Sequence, residues 1–191
     1  KGLAEDRGLY MPERIIPLSD TFFNRISTMR FQDIAYNVAD AFFGEDIDGD
    51  SIQELVYDTL QFDCPVVKVK DGIYSLELFH GPTLAFKDVG ARFMARLLQY
   101  FIRQEFTTLG QNITAVEVDG VFDDCQRLVK SAFMDEELNC HMKLTSANSI
   151  NVARFLPQAF YYFNAYARLK AMGLADNLVM CVTSGNFGNI C

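Results

Sequence analysis

The sequence predicts an α/β fold in which mainly parallel sheets are flanked by helices. Segments rich in β-branched residues alternate along the chain with amphipathic segments of helical period. One run, 177–183 (NLVMCVT), is almost entirely apolar, as is typical of a strand buried on both faces of a parallel sheet. The 191 residues are 50% hydrophobic, which provides enough apolar side chain for one core.

Four segments have helical periodicity. Apolar residues spaced at i, i+3, i+4 and i+7 predict helices over 27–43, after Lys87, over 122–133 and over 149–172. Pro157 removes a backbone donor, so we expect it to kink or restart the last of these helices.

Two further strand regions and a short helix complete the prediction. The segment 65–79 (PVVKVKDGIYSLELF) predicts a hairpin that turns at Asp71-Gly72, and 112–120 (NITAVEVDG) predicts a strand. The stretch from Asp46 resembles a calcium loop, but its twelfth position is Tyr57 where a bidentate Glu is needed, so we reject that interpretation. Ser51 and Glu54 instead match a capping box that opens a short helix.

Composition excludes several classes of function. The net charge of −8 and the absence of a Lys/Arg-rich run argue against nucleic-acid binding. Five scattered cysteines favour buried thiols in a reduced compartment over disulfides or a metal site. Because no apolar run approaches the ~20 residues that cross a bilayer, we expect a soluble cytoplasmic protein without a membrane partner. The sequence opens at Lys1, so a removed targeting segment stays open as an alternative.

Lys87 is the first candidate for chemistry. Most lysines are simply solvated, but Leu84, Ala85 and Phe86 before it are apolar and a helix begins directly after it. Both the apolar surroundings and the positive end of a helix favour the uncharged amine. An uncharged amine is the form that attacks a carbonyl to make a Schiff base.

The final residues, 184–191 (SGNFGNIC), are the second candidate. Two glycines directly after a predicted strand allow successive backbone N–H groups to cradle a phosphate, although a plain turn explains the pattern equally well. An amine on one loop and a phosphate cradle on another together suggest pyridoxal phosphate, whose aldehyde needs the first and whose phosphate needs the second.

Three motifs make the resemblance specific. The segments 80–88 (HGPTLAFKD), 144–163 (LTSANSINVARFLPQAFYYF) and 184–189 (SGNFGN) resemble the threonine synthase family. This family belongs to the pyridoxal phosphate enzymes of fold type II, which share the fold of the tryptophan synthase β-subunit. The resemblance implies that Lys87 forms the Schiff base with the cofactor and moves protons during turnover.

The resemblance also implies two binding sites. The residues that match the loop for the cofactor phosphate are Gly185, Asn186, Phe187, Gly188 and Asn189. The residues that match the segment for the substrate's own phosphate are Asn148, Ser149, Asn151 and Arg154. A helix cap at Asn148 or Ser149 with a solvated Arg154 is the structural alternative. Thr83 and His80 are expected to line the pocket, whereas His141 is expected to be merely exposed. No metal site is implied.

The family reaction is conversion of O-phospho-L-homoserine and water to L-threonine and phosphate. Two alternatives stay open. One is another pyridoxal phosphate lyase of the same fold that acts on a related amino acid, for which 146–154 (SANSINVAR) is the discriminating feature. The other is a non-catalytic remnant that binds cofactor or phosphate. The sequence does not predict an oligomeric state.

The chain departs from the family pattern in two places. It passes from Glu105 directly to Phe106 without the strand and cofactor loop expected there, and it stops at Cys191, whereas the family continues for a large second part. A genuine deletion would remove a core strand and expose apolar edges, so we expect residues to be missing from the sequence at 105/106. We divide the remainder into 1–87, which leads to the lysine, and 88–191, which carries the substrate motif and the phosphate loop.

Overall fold

The computed structural model describes residues 10–105, 118–142, 144 and 151–184. The helices in these ranges are α1 (Asp20–Arg25), α2 (Phe31–Phe43), α3 (Gly49–Thr59), α4 (Asp88–Glu105), α5 (Phe122–Met134), α6 (Glu136–His141), α7 (Val152–Phe155) and α8 (Ala159–Ala171). Two 3₁₀ turns cover Ile26–Thr28 and Leu156–Gln158. The strands are β1 (Val66–Lys70) and β2 (Ile73–Leu76).

Helix α2 confirms most of the predicted helix over 27–43. It begins only at Phe31, because 26–28 form a 3₁₀ turn and the backbone of Met29 and Arg30 is extended. The predicted apolar stripe is the buried face of this helix, and Ile34 and Ala35 are fully buried. Burial of this stripe in the core stabilises α2 more than its intrinsic propensity does.

Helix α3 forms as predicted, but the predicted capping box is wrong. Asp48, whose backbone is extended, is the N-cap, and its carboxylate accepts the Ser51 amide at 2.9 Å and the Ser51 hydroxyl at 2.7 Å. Ser51 therefore lies inside the first turn, with its hydroxyl already bound. An aspartate carboxylate serves as well as serine at the N-cap position, and here it places the start of the helix three residues earlier.

The predicted hairpin is confirmed. Strands β1 and β2 pair antiparallel, and Gly72 takes the positive φ of +74° that the turn between them requires. This hairpin is the sheet that the structure shows within its described ranges. The parallel sheet predicted for the chain is not seen there.

Helix α4 confirms the helix predicted after Lys87, and it crosses the centre of the core. Phe93 is buried, with its ring 5.9 Å from that of Phe160 on α8 and 5.6 Å from that of Phe43 on α2. The residue before it is Arg92, whose guanidinium donates to the backbone carbonyls of Asp58 and Thr59 at 2.9 and 3.0 Å. A cation at these carbonyls satisfies the C-terminus of α3 and fixes it against α4.

The long helix predicted over 149–172 is interrupted where Pro157 was expected to interrupt it. Within the described residues it begins as α7 at Val152, tightens to a 3₁₀ turn at Leu156–Gln158 and restarts as α8. Pro157 has no amide proton to continue the helical ladder. The interruption lets α7 and α8 pack on α4 independently of each other.

Helix α8 also holds the beginning of the described chain. Near its C-terminus, Arg168 donates to the Met29 carbonyl and Lys170 to the Phe23 carbonyl, both at 2.6 Å. Near its middle, the buried Asn164 side chain donates to the Cys64 carbonyl at 2.8 Å. One helix therefore connects α1, the chain before the hairpin and α4.

The strand predicted over 177–183 is wrong. These residues have no regular secondary structure, Asn177 has a φ of +55°, and Val179 is 87% exposed. An extended strand needs a neighbour for its backbone groups, and no neighbouring strand is present in the ranges described. Most of the other predicted strand, 112–120, lies outside the described residues, and 118–120 are not in a strand.

Helices α5 and α6 lie within the described range 118–142. Helix α5 confirms the prediction over 122–133, and His141, the last residue of α6, is exposed as expected. The cysteines of the described residues, Cys64, Cys125, Cys140 and Cys181, are free thiols. No helix in the described ranges combines the length and apolarity needed to span a membrane.

We expect Phe93→Ala to lower the free energy of unfolding by about 3–5 kcal/mol, because it leaves a cavity between α2, α4 and α8. Urea denaturation of the purified protein measures this change. Phe101→Ala is the matched control on the same helix, since Phe101 is 46% exposed, and it should cost less than about 1 kcal/mol. Equal losses in the two variants would contradict the central position of Phe93.

Candidate active site

Lys87 ends the turn that connects the hairpin to α4. Its side chain is exposed, with Nζ 6.0 Å from the centre of the Phe86 ring, and it forms no ion pair with any described residue. The expectation that apolar neighbours desolvate this amine is wrong for these residues, because Leu84 is 73% exposed and Phe86 37%. Leu84 has a φ of +57°, so the chain changes direction before it reaches Lys87.

The carboxylate of Asp88 fixes the start of this turn. Asp88 is 4% exposed, and it accepts the Thr83 amide at 2.9 Å and also the Thr83 hydroxyl. The Leu84 amide donates to Gly81 and the Asp88 amide to Ala85, both at 3.0 Å, which closes the turn internally. Thr83 is thus held in the same turn as Lys87, and with its hydroxyl proton bound to Asp88 it can offer a ligand only an accepting oxygen.

The hydroxyl of Tyr161 fixes the end of the turn. Tyr161, on the first turn of α8, is 5% exposed and donates to the Phe86 carbonyl at 2.5 Å. Burial raises the pKa of Tyr161 above its usual range, so the hydroxyl keeps its proton.

Sequence analysis did not identify Asp88 or Tyr161 as site residues. Asp88 was interpretable only as an acidic residue in the first helical turn, and Tyr161 only as one aromatic among several in a helix. The contact of Tyr161 with the lysine turn depends on how α8 packs beside α4, whereas Asp88 bonds Thr83 within the turn itself. The one signal in the sequence was that both residues lie within the motifs that carry the family resemblance.

Asn151 and Arg154 belong to α7, which lies against the first turn of α4. The Asn151 side chain accepts the Ala153 amide at 3.0 Å, so Asn151 is the N-cap of α7. Asn148 and Ser149, the caps that the structural alternative named, lie outside the described residues. The solvated Arg154 of that alternative is wrong. Arg154 is partly buried, and this burial lowers the pKa of its guanidinium while the nearby Asp88 and Tyr161 act in the opposite direction.

Gly90 lets α7 approach α4. A Cβ atom built on Gly90 would lie 2.2 Å from the Arg154 carbonyl oxygen, far inside van der Waals contact. Only glycine allows the two backbones to meet at this distance. Asp88 is common to three predicted site residues: it accepts from Thr83, it follows Lys87 in the sequence, and its charge acts on the pKa of Arg154.

Seven of the remaining predicted site residues lie outside the described ranges. They are Asn148, Ser149, Gly185, Asn186, Phe187, Gly188 and Asn189. His80 is described and exposed; its Nε2 lies 2.7 Å from the Glu77 carboxylate, and its ring stacks on Phe79 at 4.7 Å.

A separate cavity of about 510 Å³ lies between α3 and α4. Its lining residues are Ser51, Glu54, Leu55, Asp58, Arg96, Gln99 and Tyr100. Arg96 and Asp58 form an ion pair with each other, which leaves little net charge to attract a ligand. None of the predicted site residues lines this cavity, so the region around Lys87 is the candidate site.

The chain is similar to solved structures of threonine synthases. The chain is similar to a crystal structure of pyridoxal phosphate-bound threonine synthase from Brucella melitensis, with a TM-score of 0.82, 30% identity and coverage of 99% of this chain and 52% of that one. It is also similar to threonine synthase from Escherichia coli, with a TM-score of 0.76, 35% identity and coverage of 88% and 50%.

Sequence comparison agrees with the structures. The family model for the threonine synthase N terminus matches residues 1–60. The curated threonine synthases of Escherichia coli and Serratia marcescens are 36% and 35% identical to this chain, over 100% of it and 54% of each relative. The resemblance to threonine synthase is therefore confirmed along the whole chain, which spans about half the length of the curated relatives it matches.

The alignments also concern the residues expected to be missing from the sequence at 105/106. The alignment with the Escherichia coli protein extends over 234 positions, compared with 191 residues in this chain, so at least 43 positions of the relative have no counterpart here. Residues within the matched region are thus absent from this sequence. That they are absent at 105/106 stays a prediction.

We expect Gly90→Ala to lower the free energy of unfolding by about 1–3 kcal/mol, because the new methyl group pushes the α7 backbone away from α4. Gly49→Ala is the matched control in α3, where the nearest atom to an added Cβ is the mobile Tyr36 hydroxyl at 3.0 Å. The control should be neutral or stabilise by up to about 1 kcal/mol through helix propensity. Urea denaturation distinguishes the two, and a neutral Gly90→Ala would show that the backbone contact is not tight.

Proposed function

We propose that this protein is a threonine synthase, which converts O-phospho-L-homoserine and water to L-threonine and phosphate with pyridoxal phosphate as cofactor. The observation that carries the proposal is the similarity of the whole chain to threonine synthases, combined with an anchored turn that presents Lys87. The substrate is a small molecule. Nucleic acid and membrane are not partners in this proposal, and the charge of −8 is consistent with the first point.

The described residues fit the cofactor. Pyridoxal phosphate needs a lysine amine that a carbonyl carbon can reach, and Lys87 is exposed and held by no described carboxylate. When bound, the cofactor supplies an electron sink for negative charge at the carbons of the substrate. We assign the cofactor phosphate to the loop Gly185, Asn186, Phe187, Gly188 and Asn189, on the basis of the family motif.

Lys87 is proposed to move the protons of the reaction. Its Nζ would take the proton from the α carbon of the substrate and return protons in later steps. The backbone on both sides of Lys87 is held, by Asp88 through Thr83 and by Tyr161 through Phe86. A base with a fixed backbone loses less freedom when it reaches the reacting atom.

Arg154 is proposed to bind the phosphate of the substrate, together with Asn148, Ser149 and Asn151. Its guanidinium is partly buried, and a charge-assisted bond to phosphate is stronger in such surroundings. The negative charge of Asp88 acts on this guanidinium and favours its charged form. Thr83 is proposed to contribute an accepting oxygen to the pocket.

The fold type, the division into two regions and the cellular location complete the proposal. The fold is of type II among pyridoxal phosphate enzymes, with parallel sheets flanked by helices, as in the tryptophan synthase β-subunit. Residues 1–87 and 88–191 form its two regions, although they share one core cluster that includes Phe31 before the boundary and Phe160 after it. The location is cytoplasmic, which the free thiols of the described cysteines support.

We expect Lys87→Ala to abolish the pyridoxyl adduct trapped by borohydride and to lower activity at least about a thousandfold, because the covalent anchor and the proton carrier are both lost. Peptide mass spectrometry locates the adduct. The free energy of unfolding should change by less than about 0.5 kcal/mol, since the side chain of Lys87 is exposed. Lys70→Ala, at an exposed lysine of β1, is the control and should keep the adduct and the activity.

An adduct that persists in Lys87→Ala would contradict the assignment of the lysine. Absence of any adduct in the wild-type protein would support the alternative of a non-catalytic remnant. An intact mass measured beforehand shows whether the purified protein contains residues beyond the 191 of this sequence.

We expect Arg154→Gln to raise the KM for O-phospho-L-homoserine roughly tenfold to a hundredfold, the effect of losing one charge-assisted hydrogen bond to phosphate. Steady-state kinetics measures it, with Arg127→Gln on the exposed face of α5 as a control that should leave KM unchanged. Wild-type protein should not turn over unphosphorylated homoserine at a comparable rate. Preference for another amino-acid substrate would instead favour a different lyase of the same fold.

A further inference from the structure

The lysine turn is joined to α8 by one hydroxyl group. Tyr161 Oη donates to the carbonyl of Phe86, the residue before Lys87, at 2.5 Å. A single atom of α8 therefore bonds the backbone directly before the lysine.

The position of this hydroxyl is itself fixed. Tyr161 is 5% exposed and belongs to the main core cluster together with Phe93 and Phe160. Three residues along α8, the fully buried Asn164 is bonded to the Cys64 carbonyl, so this part of the helix cannot slide. A buried ring in a packed helix has few alternative rotamers, and its hydroxyl is a rigid reference point.

The turn before α4 has a separate side-chain anchor at each end. Asp88 holds Thr83 at the start of the turn. Lys87 itself has no acceptor atom. The bond from Tyr161 to the Phe86 carbonyl is therefore the side-chain bond that fixes the backbone directly before Lys87.

We propose that the Tyr161 hydroxyl is a positioning group for Lys87, acting from a neighbouring helix. It holds the backbone at the Phe86 carbonyl, directly before the lysine, so the amine projects from a fixed point although its side chain is exposed. Tyr161 touches neither substrate nor cofactor in this role. Attachment of the cofactor to the positioned amine rests on the function proposed above, whereas the ordering of the turn does not.

The test is Tyr161→Phe, which removes the hydroxyl and keeps the ring. Hydrogen exchange measured by mass spectrometry on the cofactor-free protein should speed up roughly two- to tenfold in peptides covering 84–91, the range that one lost hydrogen bond gives. Peptides covering 94–101, farther along α4, should keep their wild-type rates. In the wild-type protein loaded with pyridoxal phosphate, borohydride should trap the adduct on Lys87, and in Tyr161→Phe the adduct should form more slowly by a similar factor.

Two controls separate positioning from general loss of stability. Tyr166→Phe removes a hydroxyl from the same helix, at a tyrosine whose ring faces Lys170, and should leave exchange over 84–91 unchanged. Ile34→Val removes one methyl group from the fully buried Ile34, which packs in a separate cluster with Phe22, Ile26 and Ala167, and so lowers stability away from the turn. It should lower Tm without a local increase in exchange over 84–91.

The outcomes are distinguishable. Unchanged exchange over 84–91 in Tyr161→Phe, or an increase that Ile34→Val reproduces, overturns the proposal. A local increase that only Tyr161→Phe shows supports it, whether or not the protein binds cofactor. Absence of an adduct in the wild-type protein is a failure of the proposed function, and the exchange data alone then decide the role of Tyr161.

Discussion

The packing of α4 through the centre of the core is the constraint on which the rest of the structure depends. Phe93 lies between Phe43 and Phe160, and the neighbouring Arg92 closes the C-terminus of α3. The same helix begins directly after Lys87, so the packing that stabilises the core also determines where the amine emerges. Stability and the candidate chemistry are therefore coupled through one helix, and the exposed turn needs only two further anchors, Asp88 and Tyr161.

Local patterns in the sequence predicted local structure well. The periodicity of α2, α4 and α5, the Asp71-Gly72 hairpin and the break at Pro157 each depend on residues close together in the chain, and the structure contains all of them. The cap of α3 was misassigned because Asp48 and Ser51 are both good capping residues, and sequence alone does not say which one has extended backbone.

Features that depend on distant partners were less predictable. The apolar run 177–183 has the composition of a buried strand, but a strand also needs neighbours, and Asn177 and Val179 show that it has none in the described ranges. Likewise, the chemistry of Lys87 was inferred from a motif, while the groups that hold its turn come from contacts up to 75 positions apart in sequence. Desolvation of the lysine was inferred from its neighbours in the chain, and these neighbours are exposed.

The bonds from the end of α8 to the start of the described chain have a consequence for synthesis of the protein. Arg168 and Lys170 bond carbonyls 139 and 147 positions earlier in this sequence, so this part of the core cannot close until α8 has left the ribosome. At a synthesis rate of roughly 5–20 residues per second, the parts of α1 and α2 that α8 covers stay uncovered for on the order of ten seconds. During that interval the nascent chain is a natural client for chaperones, and synonymous codon changes that slow translation before α8 would lengthen its exposure.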